Sequence, residues 1–410
     1  MNNVNIFENF AEKARTTMTV PALKGHMGGV DYYVITLPFS IVTRYATTAD
    51  DNLPVNLRRN RKVTPRRFAE ISKYIIKNLD DYRFSAITCT FGVDDDKRQP
   101  LKWEPAQPTG DASLIGLLTL DQRDPLIIVD GQHRYGAIKK VLEDNSELGD
   151  ERITVVLFPY INVQEAQQLF SDLNRTAKKT TKSLDILFDH RDIVNRVVQR
   201  LVERVSVFRG RINLEDTSVA RQSQDIFTIA TIYQATKPII RGAYQAGLLN
   251  ERLGEPDPET DMPKDNEGLY IDFLTEVWEF IAQQFPEWSQ VATGTANIVN
   301  IRGDFLHWHS GVISAVGEFV AESMRQLGNN WQEAVKNALT HPQTHGWRRD
   351  ANEWQGIITA ATQVMPRSLV LPSLKSYLKK LAGLTLTDAD TRQLESIKKM
   401  KAELGVPTIV

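Results

Sequence analysis

The sequence predicts an α+β protein, with a mixed N-terminal half followed by helical regions. Three observations carry that expectation. Apolar runs of strand length recur before residue 160, and helical spacing takes over almost everywhere after residue 163. The composition, 41% apolar and 24% charged over 410 residues, is that of an ordinary folded chain long enough for two or three domains.

Taken in order, residues 1–20 mix Asn, Glu, Lys and Arg without an apolar core and read as an N-terminal arm. No signal peptide or membrane anchor is expected, and the single cysteine, Cys89, fits a reducing compartment, so the expected location is the cytoplasm. Residues 21–160 form the first predicted domain. Within it, 31–37 (DYYVITL) is rich in aromatic and β-branched residues and reads as a strand. Thr64 and Pro65 read as N-cap and first helical position, with Phe68, Ile71, Ile75 and Leu79 recurring at helical spacing behind them. Residues 84–91 alternate, placing Ile87, Cys89 and Phe91 on one face, and 114–120, 126–129 and 153–158 are further strand-length runs.

Residues 161–249 read as a helical extension, and 250–268 as an acidic loop rich in Pro and Gly, where a domain boundary is expected. Residues 269–410 follow as a helical C-terminal domain with several tryptophans and a charged last helix. Net charge is −2, which argues against a uniformly basic coat, but the charge is uneven. Residues 58–67 hold Arg58, Arg59, Arg61, Lys62, Arg66 and Arg67 with no acid. Residues 174–211 carry ten basic side chains against four acids, and 251–267 hold seven acids against two bases.

The chemistry-bearing string is Leu126-Ile-Ile-Val-Asp130-Gly131-Gln132-His133-Arg134-Tyr135, a buried strand turning sharply into a helix. Gly131 permits a tight turn and close approach of a ligand, and the first helical amides carry the positive end of the helix dipole. Arg134 and His133 on that first turn add a fixed charge and a titratable donor, which suits a di- or triphosphate. Asp130 could cap the helix or hold a divalent cation. The competing reading is structural: Asp130 an N-cap, Arg134 paired with a carboxylate, His133 a satisfied core donor.

The string DGQHR resembles the signature of the DGQHR-domain family. The later block Gln168-Leu-Phe-Ser-Asp172-Leu-Asn174-Arg175-Thr-Ala-Lys178-Lys179, running on to Asp192, is similar to the second block of the DNA sulfur modification family DndB. The resemblance covers about residues 21–240. It implies a DNA-binding regulator of bacterial DNA phosphorothioate modification, in which sulfur replaces a non-bridging backbone oxygen. The turn also resembles that of the ParB and sulfiredoxin superfamily, which implies a ParB/sulfiredoxin-like N-terminal domain with Gly131, Gln132, His133 and Arg134 beneath nucleotide phosphates. Gln132 stands where sulfiredoxins place a cysteine, and an amide cannot act as that nucleophile. By the same resemblance Asp172, Asn174 and Arg175 reach the phosphates and their metal; read alone, the same stretch is a helix end with Asn174 as its cap.

These readings give Asp130, His133 and Asp172 as candidate catalytic residues and Asp130 and Asp172 as metal ligands. The expected cofactor is a nucleoside triphosphate, ATP foremost, with Mg2+. For duplex DNA, the candidates are the 58–67 cluster, Lys178, Lys179 and Lys182 among hydroxyl residues, and Arg196, Arg200 and Arg204 at spacing four on one helix face. A solvated helix face is the competing reading of that ridge. Other DNA sulfur modification proteins are the further expected partners, and a homodimer stays open. Two other functions fit: a metal-dependent DNA nickase or nucleotide-driven opening factor using the same acidic and His residues, and a non-catalytic adaptor. The pair His307 and His309 lacks a third ligand, and His341 and His345 are separated by helix breakers, so neither predicts zinc. P-loop, zincin and GxSxG signatures are absent from the sequence.

Overall fold

The structure, a computed structural model, describes residues 17–48, 65–91, 101–122, 125–159, 163–175, 180–190, 192–249, 267–361 and 363–406. The chain divides into two compact units, Met1–Lys178 and Lys179–Val410. The α+β expectation holds.

The first unit is built on an eight-stranded mixed sheet of order β3-β7-β4-β8-β2-β1-β6-β5. Its strands are β1 (Thr17–Met27), β2 (Val30–Pro38), β3 (Ala46–Thr47), β4 (Ile87–Phe91), β5 (Leu101–Pro105), β6 (Ile115–Asp121), β7 (Leu126–Asp130) and β8 (Arg152–Pro159). β1 starts at Thr17, so the arm expected over 1–20 gives its last residues to the sheet. The β1–β2 hairpin closes on Gly28 and Gly29 at φ +62° and +82°, the pair of positive angles that a two-residue turn matching strand twist requires. The helices among the described residues of this unit are α1 (Phe39–Tyr45), α2 (Pro65–Lys77), α3 (Gln132–Asp144) and α4 (Val163–Arg175).

Side chains alternate across the strands, so each face has its own partners. One face presents Ile87, Cys89, Leu126, Ile128, Val155 and Leu157, which form a core with Ile75 of α2 and Ala137, Ile138 and Val141 of α3. Cys89 is buried there, and burial pushes its thiol well above the usual range, so it is a packing residue. The other face presents Thr90 and Phe158, paired across β4 and β8. α4 lies against that face.

The second unit is helical, with α5 (Lys182–Phe188), α6 (Ile193–Arg204), α7 (Ile229–Gln245), α8 (Glu267–Gln283), α9 (Pro286–Thr293), α10 (Ile298–Ile301), α11 (Ser310–Leu327), α12 (Trp331–Leu339), α13 (Arg367–Leu381) and α14 (Asp388–Glu403). Two short ladders, Ile212–Asn213 with Phe227–Thr228 and Thr359–Ala360 with Gln363–Val364, interrupt the helices. A single core runs from Ile186 to Ile397. The helices before and after the expected boundary at 250–268 therefore share one interior, because the apolar faces of α6 and α7 pack against α8 and α11. α7 and α11 approach through Gly242 and Gly317, where an added Cβ would stand 2.6 Å and 2.2 Å from backbone atoms of Ala321 and Ala235. The charged tail is also less solvated than its composition suggests. Lys379 pairs with Asp390 and Lys401 with Glu353, all four buried.

Candidate functional site

β7 delivers the chain to Asp130, and the turn follows at once. Gly131 sits at φ 99°, ψ 15°, a left-handed geometry that L side chains rarely adopt. A Cβ there would stand 3.1 Å from both Arg134 Nη2 and Ile87 Cγ1. α3 then starts at Gln132, and no side chain caps it. The first amides are thus left to the dipole and to whatever anion approaches.

The side chains of the turn fall into two groups. Gln132 is buried and its Nε2–H donates to the Val129 carbonyl at 2.7 Å, which ties the helix start to the strand. Tyr135 does the same on the far side, donating its hydroxyl to the Ala46 carbonyl at 2.9 Å. Gly136 lies under Phe68 of α2, whose ring would be 2.5 Å from an added Cβ. These are positioning residues. Asp130, His133 and Arg134 form the second group. Arg134 donates from Nη2 to Asp130 Oδ2 at 2.7 Å and from Nη1 to the Ser85 hydroxyl. The Arg134 side chain is 17% exposed and that of Asp130 39%. The ring of His133 lies 5.9 Å from that of Phe68, edge to face. Sequence reasoning misses Ser85 and Phe68 as members of the site; Ser85 precedes β4 and carries no local signal that would mark it.

Asp172 lines a cavity of about 500 Å³ with Thr90, Phe158, Leu169 and the hairpin residues Met27 and Val30. The turn packs its helix on the Ile87/Cys89 side of the sheet, and α4 lies on the Thr90/Phe158 side. Asp172 accepts from Gln168 Nε2 at 2.8 Å along its own helix. Asn174 and Arg175 end α4, and their side chains lie outside the described set. Among the described residues no three His, Cys, Asp or Glu side chains gather as a metal-binding group.

The candidate DNA contacts divide sharply. Arg58, Arg59, Arg61, Lys62, Lys178 and Lys179 lie outside the described residues, as does the side chain of Arg66. Arg67 is exposed on α2. Lys182 is exposed, with Nζ 5.1 Å from the centre of the Tyr233 ring. The ridge on α6 is matched by acids. Arg196 Nε donates to Glu267 of α8 at 2.9 Å, Arg204 pairs with Asp272 of the same helix, and Arg200 pairs with Glu203 at 3.1 Å. Arg196 also donates to the His190 carbonyl at 2.7 Å. The ridge is a charged seam between two helices of one unit rather than an open row of cations.

A family model described as DndB, DNA-sulfur modification-associated, matches residues 20–384. The chain belongs to the DndB family. No curated protein and no solved structure matches it. The DndB match spans Asp130 to Arg134 and most of the second unit. Membership places the chain in DNA phosphorothioate modification. Among the described residues no helix is long and apolar enough to cross a membrane.

Proposed function

We propose that this chain is a DNA-binding regulator of phosphorothioate modification whose Asp130 to Arg134 turn holds the phosphates of a nucleotide. One observation carries the nucleotide reading: a left-handed glycine opens a 13-residue helix that no side chain caps, with a guanidinium fixed beside it. Backbone amides, helix dipole and Arg134 then converge on one small volume, which suits a compact polyanion better than a side chain. Asp130 and Ser85 preset the guanidinium, so binding costs little further ordering. Asp130 accepts from Arg134 through one oxygen and offers hard oxygen to Mg2+ alongside the phosphates. His133 lies on the first helical turn beside Arg134 and would orient an attacking water for hydrolysis. ATP is the nucleotide to test first.

The duplex would meet the basic stretch 58–67 and Lys178 to Lys182, because the α6 ridge is already neutralised. One observation favours a second reading. The Asp130–Arg134 pair is also what a purely structural turn would show, and in that case the protein is a non-catalytic adaptor of the modification machinery. Phosphate release from ATP, GTP and CTP with Mg2+, with and without duplex DNA, separates the two. DNA-stimulated release that the double change His133→Ala, Arg134→Ala abolishes supports the nucleotide reading. No nucleotide bound or hydrolysed by the folded wild type contradicts it, and nicking of supercoiled plasmid would move the assignment to a nuclease.

A further inference from the structure

The nucleotide and DNA readings leave the cavity of about 500 Å³ beside α4 without a role. That volume falls within the range of small-ligand pockets, and the described lining lies wholly in the first unit. Small residues make the space. Thr90 and Ala166 are buried members of the lining, and Gly28 of the hairpin contributes no side chain, so a longer residue at any of the three would take up room. The mouth is apolar. Met27 from the hairpin is 58% exposed and Leu173 from α4 37%, so two large apolar side chains of the lining stand in water. Covering them is favourable, and an unbranched Met adapts to the shape of a guest.

The charge of the site comes from α4. Ala166, Leu169 and Leu173 recur at spacings of three and four and form its apolar stripe, while Glu165 and Asp172, two turns apart, follow the margin of that stripe. All five line the cavity. Among the described residues of the lining these are the two charged side chains, both acidic, with no Lys, Arg or His. Asp172 is exposed, so a guest in the mouth reaches it directly. Its hydrogen bond among the described residues comes from the neutral amide of Gln168, and no described cation offsets its charge.

Charge and polarity together narrow the class. An amphipathic anion would place its head beside two carboxylates, and a neutral hydrocarbon would leave Asp172 unanswered. A strongly hydrated metal ion would gain nothing from Met27, Leu169 and Leu173. We infer that this cavity binds a small organic cation, its apolar body between the hairpin and α4 and its ammonium group at Asp172.

The test is calorimetric titration of the full chain with straight-chain primary alkylammonium ions from butyl to octyl, with 1-octanol and octanoate as the neutral and anionic counterparts of the longest. Affinity should rise about fourfold for each further methylene that is buried, and octylammonium should bind at least about tenfold tighter than octanoate. Asp172→Asn keeps the shape of the side chain and removes its charge, so it should weaken octylammonium about fivefold and leave 1-octanol within about twofold. Ala166→Leu fills the cavity and should weaken all three octyl compounds at least about tenfold, with circular dichroism to verify the fold. If that variant fails to fold, the exposed Asp172→Asn still decides. No binding of any alkylammonium ion to the folded wild type overturns the inference. So do octanoate binding as tightly as octylammonium, octylammonium affinity unchanged in Asp172→Asn, and binding unchanged in a folded Ala166→Leu.

Discussion

The turn at Asp130 to Arg134 and the ridge at Arg196, Arg200 and Arg204 look alike in sequence, each an arginine-bearing helix suited to phosphate. Their surroundings differ. In the turn, Arg134 is held by a carboxylate and a hydroxyl at the edge of an uncapped helix start, where an incoming anion adds to the arrangement. In the ridge, Arg196 and Arg204 reach acids of a different helix, so a phosphate would have to displace an ion pair that joins the two helices. Periodicity tells which residues share a face. It does not tell which element faces them, and that decides whether a cation is open to a ligand.

The largest effect that would sharpen this contrast lies outside both regions. Replacing Arg58, Arg59, Arg61 and Lys62 together by Ala should lower duplex affinity roughly a hundredfold at low salt and flatten the plot of log K against log salt by about 0.9 for each phosphate no longer neutralised. A fluorescence-anisotropy titration at several salt concentrations reads both. Next, Gly131→Ala should destabilise the first unit by about 2 kcal/mol, since alanine is strained at φ 99° and its Cβ presses on Arg134 and Ile87. Denaturant unfolding measures this, and nucleotide binding should fall with it.

The ridge predicts the reverse pattern. Arg196→Ala should cost about 1 kcal/mol through its half-buried pairing with Glu267, yet leave DNA affinity within about twofold. Duplex binding that collapses in this variant would place the ridge on DNA after all. Arg200→Ala, on an exposed pair, should change stability by no more than about 0.5 kcal/mol.

Acid should act on the second unit through its histidines. Burial holds His309 at about 4 and lowers His307 as well, both below the 6.5 of an unfolded chain. The unfolded state then binds more protons between pH 6.5 and 4. The contribution is present above pH 6.5 and is lost as pH falls toward 4, so the melting temperature should drop across that window. His309→Gln should blunt the drop, and an unchanged slope in the variant would assign it to other groups.

Much of this was legible in the residues. The strand-to-helix turn was readable because Gly131 breaks an apolar run and a helical pattern follows; the missing cap was not, since Asp130 reads as an N-cap and the structure gives that position to Gly131 with no side-chain cap. The β4 alternation at Ile87, Cys89 and Phe91 marked the apolar face that joins the core, while the burial of Thr88 and Thr90 on the opposite face was not visible in it. What local patterns could not reveal were the long-range partners. Ser85 meets Arg134 across 49 positions, and Glu267 meets Arg196 across 71. The seating of α4 on the Thr90/Phe158 face, which brings Asp172 to the cavity there, is likewise a choice set by the whole unit. The one core shared by residues 186–397 was hidden for the same reason, since a polar, Pro-rich segment looks identical whether it joins two domains or crosses the surface of one.

The central claim is that Arg134 and the helix start beside it hold nucleotide phosphates. Calorimetric titration of the full chain with ATP and Mg2+, wild type against Arg134→Ala with circular dichroism on both, tests it most directly. The account predicts binding by the wild type and a drop of about tenfold or more in a variant that stays folded, as the removal of a charge-assisted hydrogen bond of about 1.5–3 kcal/mol requires. Equal affinity in the two proteins would contradict it and leave the turn as a structural joint between β7 and α3.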